Sequence, residues 1–122
     1  MAYETILTER VGDVLVITLN RPDRLNAAPP AMFDEIRDAL ANLGDSRAVL
    51  FQGAGRAFCS GADVASGALA SADPGNATHA ALTDHYNPTI LAVTRLGVPV
   101  VSAVRGAAAG TPSRVTARIV GL

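Results

Sequence analysis

Three short apolar runs, Val14 to Leu19, Arg47 to Gln52 and Val98 to Val104, each give way to a cluster of glycine, alanine, asparagine or proline. A segment with helical spacing precedes the second and the third. Runs of this length rich in β-branched and aliphatic residues read as strands, and strands alternating with helices define an α/β layer order. Thr5 to Arg10 precedes the first run across Gly12-Asp13, a pair suited to a tight turn, so the chain is expected to open on a β-hairpin. Asn20-Arg21-Pro22-Asp23 ends that hairpin, because proline cannot donate to a ladder and restricts the residue before it. From Pro30, the residues Met32 or Phe33, Ile36, Leu40 and Leu43 repeat at helical spacing, and the helix closes near Gly44.

Residues 65 to 78 hold hardly any large apolar side chain, and the composition predicts a mobile insertion. A second helix is expected over Ala80 to Leu96, with Ile90, Val93 and Leu96 inward and Pro88 kinking or dividing it. Gly97 would end that helix, and Val98 to Val104 would form a buried strand. The polar neighbours of Asp84 and His85 place both on an exposed face.

Composition excludes several classes of partner. With 122 residues, 49% hydrophobic content and a formal net charge of -1, the chain has the balance of one soluble domain. No Lys/Arg cluster offers the footprint of a nucleic-acid binder, and no apolar run reaches the length that spans a bilayer. A small-molecule partner and a cytoplasmic location follow as expectations. One cysteine cannot form an internal disulfide, and His79 and His85 lack metal-ligand neighbours at a recognisable spacing, so no metal is expected.

The loop "GAGRAFCSGADV", residues 53 to 64, carries the chemistry. A dinucleotide fingerprint needs a third glycine three positions after Gly55, and position 58 is phenylalanine; no Gly-Lys-Ser/Thr ending marks a P-loop either. An anion hole fits better. Gly61 lets the chain turn sharply, and the next amide, Ala62 N–H, can then point into a cleft. Plainer roles stand beside this one. Cys59 reads as a small buried residue, since nothing places an activating base beside it. Asp63 is either an acid/base or a cap for the amides that follow, and Arg24 can be simply solvated.

The segments "VITLNRPDRLNA" (16 to 27), "RAVLFQGAGRAFCSGADV" (47 to 64) and "LGVPVVSAVRGAAAG" (96 to 110) resemble, in order and spacing, the signatures of the enoyl-CoA hydratase/isomerase, or crotonase, superfamily. "HYNPTILAV" (85 to 93) is most similar to the branch of ring-epoxide and enoyl-CoA isomerases of phenylacetate degradation. The resemblance implies a crotonase-like spiral of ββα units, usually assembled as a trimer or hexamer, that binds acyl-CoA thioesters. It implies that the backbone amides of Ala62 and Thr111 donate to the thioester oxygen and stabilise an enolate. It also implies that Arg24, Ala27, Ser60, Gly61, Asp63, Val64 and Gly110 border the coenzyme A, which is part of the substrate and not a separate cofactor.

The same resemblance shows where this chain departs from the pattern. Residues 1 to 110 correspond to the N-terminal part of an acyl-CoA-binding domain, and 111 to 122 to a divergent tail. The hydratase-type glutamate maps to Arg114, and the second acid would fall past Leu122. A truncated fold, exposed apolar surface and impaired turnover are the expectations. Three functions stay open at this point: an acyl-CoA hydratase or isomerase of lyase or isomerase type in fatty acid or phenylacetate metabolism, a non-catalytic acyl-CoA-binding or assembly module, and an unrelated nucleotide binder.

Overall fold

In the computed structural model, residues 2–63 and 73–109 are described. Strands β1 (Ile6–Val11) and β2 (Val14–Leu19) form the expected hairpin, with Val11 opposite Val14 and Ile6 opposite Leu19. Gly12, at φ +59, supplies the left-handed turn residue between them. A 3-10 turn at Pro22–Arg24 leads to helix α1 (Pro30–Ala41), which starts on a proline at its first position. β3 (Ala48–Gly53) follows, then α2 (Pro74–Ala81), a π-turn (Leu82–Tyr86), α3 (Asn87–Thr94) and β4 (Val100–Ala103). The four strands lie in the order β1-β2-β3-β4; β1 pairs with β2 antiparallel, and β2, β3 and β4 run parallel.

Side chains alternate across the sheet, so one face carries Ile6, Ile17, Leu19, Val49, Phe51 and Val100. All six are buried, and they form one core with Met32, Phe33, Ile36, Ala39 and Leu40 of α1 and Val93 of α3. This packing explains why the 3.6-residue period of α1 is so clear in the sequence. The other face carries Leu7, Val11 and Val101, which are 53%, 56% and 44% exposed, as expected of an incompletely covered sheet. A void of about 20 Å³ remains between the helices and the sheet, lined by Phe33, Phe51, Phe58 and Ile90 among others. An apolar space that small holds at most one water molecule and leaves no room for an acyl chain.

Four expectations need correction. The segment read as a mobile insertion overlaps α2: although residues 64 to 72 lie outside the described residues, Pro74 to Thr78 are helical. Asp73 caps this helix, its carboxylate accepting from Asn76 N–H at 3.3 Å and from the Asn76 side-chain amide at 2.8 Å, and Pro74 occupies the first helical position. The second helix therefore starts before Ala80. Strand β4 is shorter than Val98 to Val104 and is not buried on both faces: Val100 is buried, while Val101 and Val104 are exposed. It pairs with β3 alone among the described strands. His85 is also not simply exposed, because its Nδ1 lies 2.8 and 2.9 Å from the two carboxylate oxygens of Asp34 on α1.

Pro88 divides the second helix by widening it. Asn87 N–H donates to Leu82 O, one residue further back than in an α-helix. Proline has no N–H, and its ring crowds the carbonyl four residues earlier, so a wide turn just before it relieves both problems without breaking the helix.

Candidate functional site

The loops that follow β2, β3 and β4 meet at the carboxyl ends of the parallel strands, the edge at which open α/β sheets place their ligands. Two isolated parallel bridges join them, Ala28 with Ala62 and Cys59 with Ala108. The three segments that suggested a function are thus brought together in space.

The first loop folds around Asn26, which is completely buried. Leu25 and Asn26 adopt left-handed backbone angles, φ +51 and +55, a region that asparagine tolerates better than most residues. The Asn26 side chain accepts from Arg21 N–H at 2.7 Å and donates to the carbonyls of Ala54 and Ala57, both at 2.9 Å. It ties the β2 loop to the β3 loop. The β4 loop then packs against the β3 loop so closely that a Cβ on Gly106 would sit 2.3 Å from the Arg56 carbonyl oxygen. Only glycine fits there.

The geometry around Ala62 follows from the planarity of one peptide. Ala28 N–H donates to Gly61 O at 2.8 Å, and Asp63 N–H donates to Ala28 O at 3.2 Å. In a trans peptide the Gly61 C=O and the Ala62 N–H point in opposite directions, so anchoring the carbonyl on Ala28 turns the Ala62 N–H outward. Ala62 is exposed, and its N–H has no acceptor among the described residues. Gly61 reaches this conformation at φ +115, where a side chain would be strained. A donor held in place without charge suits an oxygen on which negative charge develops.

The remaining site residues fall into two groups. Asp63 is buried and pairs with Arg21, whose guanidinium donates to its Oδ2 at 2.8 Å and to Ala27 O at 2.6 Å. The capping role considered for Asp63 concerns amides outside the described residues. Ser60 and Arg24 are exposed, Ala27 is half-buried and Gly61 is buried beside them. Ser60 N–H donates to Leu25 O at 3.0 Å, which lays the β3 loop along the β2 loop. Val64, Gly110 and Thr111 lie outside the described residues.

Cys59 is fully buried, its thiol donating to Asn26 O at 3.0 Å, and burial pushes its pKa up. A thiol kept protonated is a packing residue and not a nucleophile. Among the described residues, no three His, Cys, Asp or Glu side chains gather as metal ligands.

Arg21, Asn26 and Tyr86 escaped the sequence reading. Tyr86, at the end of the π-turn, packs edge-on against Phe33 with ring centroids 4.6 Å apart and donates to Ala28 O at 3.1 Å. Burial raises its pKa, and Asp63 and Cys59 raise it further, so it keeps its proton and remains a donor. The one available signal was local: an asparagine after Leu25 in a proline-started turn suits a left-handed position.

Comparison with known proteins places the chain in a family. Residues 9–115 match the enoyl-CoA hydratase/isomerase family. A probable enoyl-CoA hydratase of Rhodobacter capsulatus is 41% identical over 111 residues, covering 90% of this chain and 42% of the relative. The 1,2-epoxyphenylacetyl-CoA isomerase of Escherichia coli is 34% identical over 110 residues, covering 88% and 42%. The crystal structure of an enoyl-CoA hydratase/isomerase from Xanthobacter autotrophicus superimposes with a TM-score of 0.82 at 32% identity, over 93% of this chain and 43% of that one. The chain spans about 42% of the length of the curated relatives it matches. Sequence, fold and loop geometry together show that the chain belongs to the enoyl-CoA hydratase/isomerase family.

Proposed function

We propose that this chain binds an acyl-CoA thioester and holds the thioester carbonyl oxygen on the Ala62 N–H, with Thr111 N–H as the second donor implied by the resemblance. The observation that carries the reading is the anchored Gly61–Ala62 peptide, which presents a donor without an acceptor among the described residues at the strand ends. When the carbon next to the thioester loses a proton, or a conjugated alkene is attacked, negative charge collects on that oxygen. A preorganised donor stabilises this charge, and removing one from an oxyanion hole costs about 2.7–4 kcal/mol of transition-state stabilisation.

Turnover by this chain is weak or absent under this proposal. Arg114 stands where the resemblance expects a glutamate, and general acid/base groups contribute roughly 10²–10⁴-fold. The likeness to the epoxyphenylacetyl-CoA isomerase makes arylacetyl thioesters worth testing beside short enoyl thioesters. A cytoplasmic setting and a trimeric or hexameric assembly belong to the same proposal.

A second reading, a non-catalytic acyl-CoA-binding or assembly module, is favoured by the open apolar face around Leu7, Val11 and Val101. Turnover of a short enoyl-CoA, under conditions where calorimetry shows binding, separates the two. The oxyanion role is tested by Ala62→Pro, which deletes the donor. Bound thioester should lose the infrared shift of its carbonyl; an unchanged shift and unchanged affinity in a folded variant would overturn the assignment.

A further inference from the structure

The amino ends of β2 and β3 lie at the opposite edge of the sheet from the Ala62 amide, and there a surface trough opens between the hairpin and the last turn of α1. It consists of two adjoining hollows of about 420 and 260 Å³ that share Thr8, Leu15 and Asn42 as walls. Tyr3, Asp38 and Ala39 complete the first hollow, and the second runs on to Leu43 and Ser46. Space of this size admits a small molecule, as the void in the core does not.

The walls are electronegative. The closing carbonyls of α1 lack partners within the helix and carry the negative end of its dipole, and no basic residue stands in the last turn to offset them. Asp38 lies in that turn. Its Oδ2 accepts from the Tyr3 hydroxyl at 2.7 Å, a bond that is the main reason the Tyr3 pKa is pushed up to about 12. Among the described residues Asp38 has no ion partner. The Asn42 side chain donates to Asp38 O at 2.8 Å and keeps its own amide oxygen as an acceptor. Arg10 borders the second hollow, but its charge is answered by Asp45 and its Nε donates to Gly12 O at 3.2 Å. Glu9, on the other face of β1, adds negative charge at the rim.

The second hollow ends on a hydroxyl with nothing to bond. Ser46 is 6% exposed, and its Oγ is buried without a hydrogen-bond partner among the described residues. Its N–H is satisfied by Leu43 O at 3.2 Å, so the side chain alone is left over. A buried hydroxyl in that state costs stability until a partner arrives. Leu15, common to both hollows, and Leu43 give the trough an aliphatic wall.

We propose that this trough is a second small-molecule site and that it takes an amino alcohol. The primary ammonium of the ligand lies against Asp38, the Asn42 amide oxygen and the end of α1. Its aliphatic stem covers Leu15 and Leu43, and its hydroxyl bonds Ser46. The site is separate from the candidate thioester site and does not depend on it.

The test follows backbone amide shifts of the full chain by NMR during titration with 5-aminopentan-1-ol, pentylamine or pentane-1,5-diol. The amino alcohol should move the amides of Thr8, Asn42 and Ser46 and bind more tightly than either control. Asp38→Asn, which can still accept from Tyr3, should weaken both amines by about tenfold and leave the affinity of the diol unmoved. Ser46→Ala removes an unpaired hydroxyl, so it should fold normally, and it should bring the amino alcohol down to the affinity of pentylamine. A diol that binds as tightly as the amines, or an amino alcohol no better than pentylamine on the unaltered chain, would overturn the proposal. So would the absence of shifts at those three amides, or shifts that persist at the same ligand concentrations in Asp38→Asn.

Discussion

The amide of Ala28 donates to the carbonyl of Gly61 at 2.8 Å, and this one bond sets the direction in which the next peptide N–H, that of Ala62, points. The candidate site is therefore built from backbone, and its precision depends on whatever fixes the two loops against each other.

Gly61→Ala isolates the backbone conformation. Among the described residues an added Cβ meets only Ala109 O, at 3.9 Å, so the cost at φ +115 is strain and not collision. We expect a loss of about 1–3 kcal/mol, measured by urea unfolding, or a relaxed peptide that no longer shifts the carbonyl stretch of bound thioester. A variant with unchanged stability and an unchanged carbonyl shift would show that the left-handed angle is dispensable.

Asn26 is buried, and its side chain makes three hydrogen bonds to backbone groups of two loops. Asn26→Ala should destabilise the chain by roughly 3 kcal/mol or more, because the partners it leaves behind lose their hydrogen bonds in a buried place. Asn26→Asp should be no better, as it sets a carboxylate against the Ala54 and Ala57 carbonyls. Thermal unfolding decides this, and an aspartate variant as stable as the parent would refute the assignment of the donors.

The Arg21–Asp63 pair should couple strongly. Arg21→Met alone removes the cation beside a buried carboxylate, a change that typically costs about 3–5 kcal/mol. Arg21→Met combined with Asp63→Leu should cost less than the sum of the two single changes, read from a double-mutant cycle in urea. Strict additivity would mean that the 2.8 Å contact contributes nothing specific.

Acid should weaken the join between the N-terminal segment and α1. Burial raises the Glu35 pKa, but hydrogen bonds from the Glu4 and Thr5 amides and the Thr5 hydroxyl outweigh it and bring the pKa below the ordinary 4.5. A carboxylate held lower in the folded state contributes stability above about pH 4.5, and that contribution is lost as pH falls through the folded value. Urea midpoints should therefore fall on acidification from that point. Glu35→Gln should lower the midpoint at pH 7 and flatten the acid limb; an acid limb as steep as the parent's would assign it to other carboxylates.

Much of the architecture could be read from local pattern. The hairpin and α1 follow from apolar periodicity joined to turn chemistry, and the Gly12 turn and the Pro30 start need nothing beyond neighbouring residues. The outward turn of the Ala62 amide was legible because a glycine that frees a peptide shows in the sequence. Arg21, Asn26 and Tyr86 were not, because their partners Asp63, Ala54, Ala57 and Ala28 come from other loops. The burial of β4 was misjudged for a related reason. Valine content describes what a strand can bury, while the elements packed against it decide what it does bury. The start of α2 was missed for lack of attention to Asp73-Pro74, a cap signal inside a stretch of small residues.

The π-turn at Leu82–Tyr86 also shifts the phase of the helix. One extra residue in the turn delays the helical rotation by about 100°. Ala81 and Tyr86, five residues apart, can therefore both meet the core, which Thr89 and Val93 continue further along the same rod. One continuous helix thus keeps both of its halves on one bearing, and deleting a single residue between Leu82 and Tyr86 would swing Ala81 away from it.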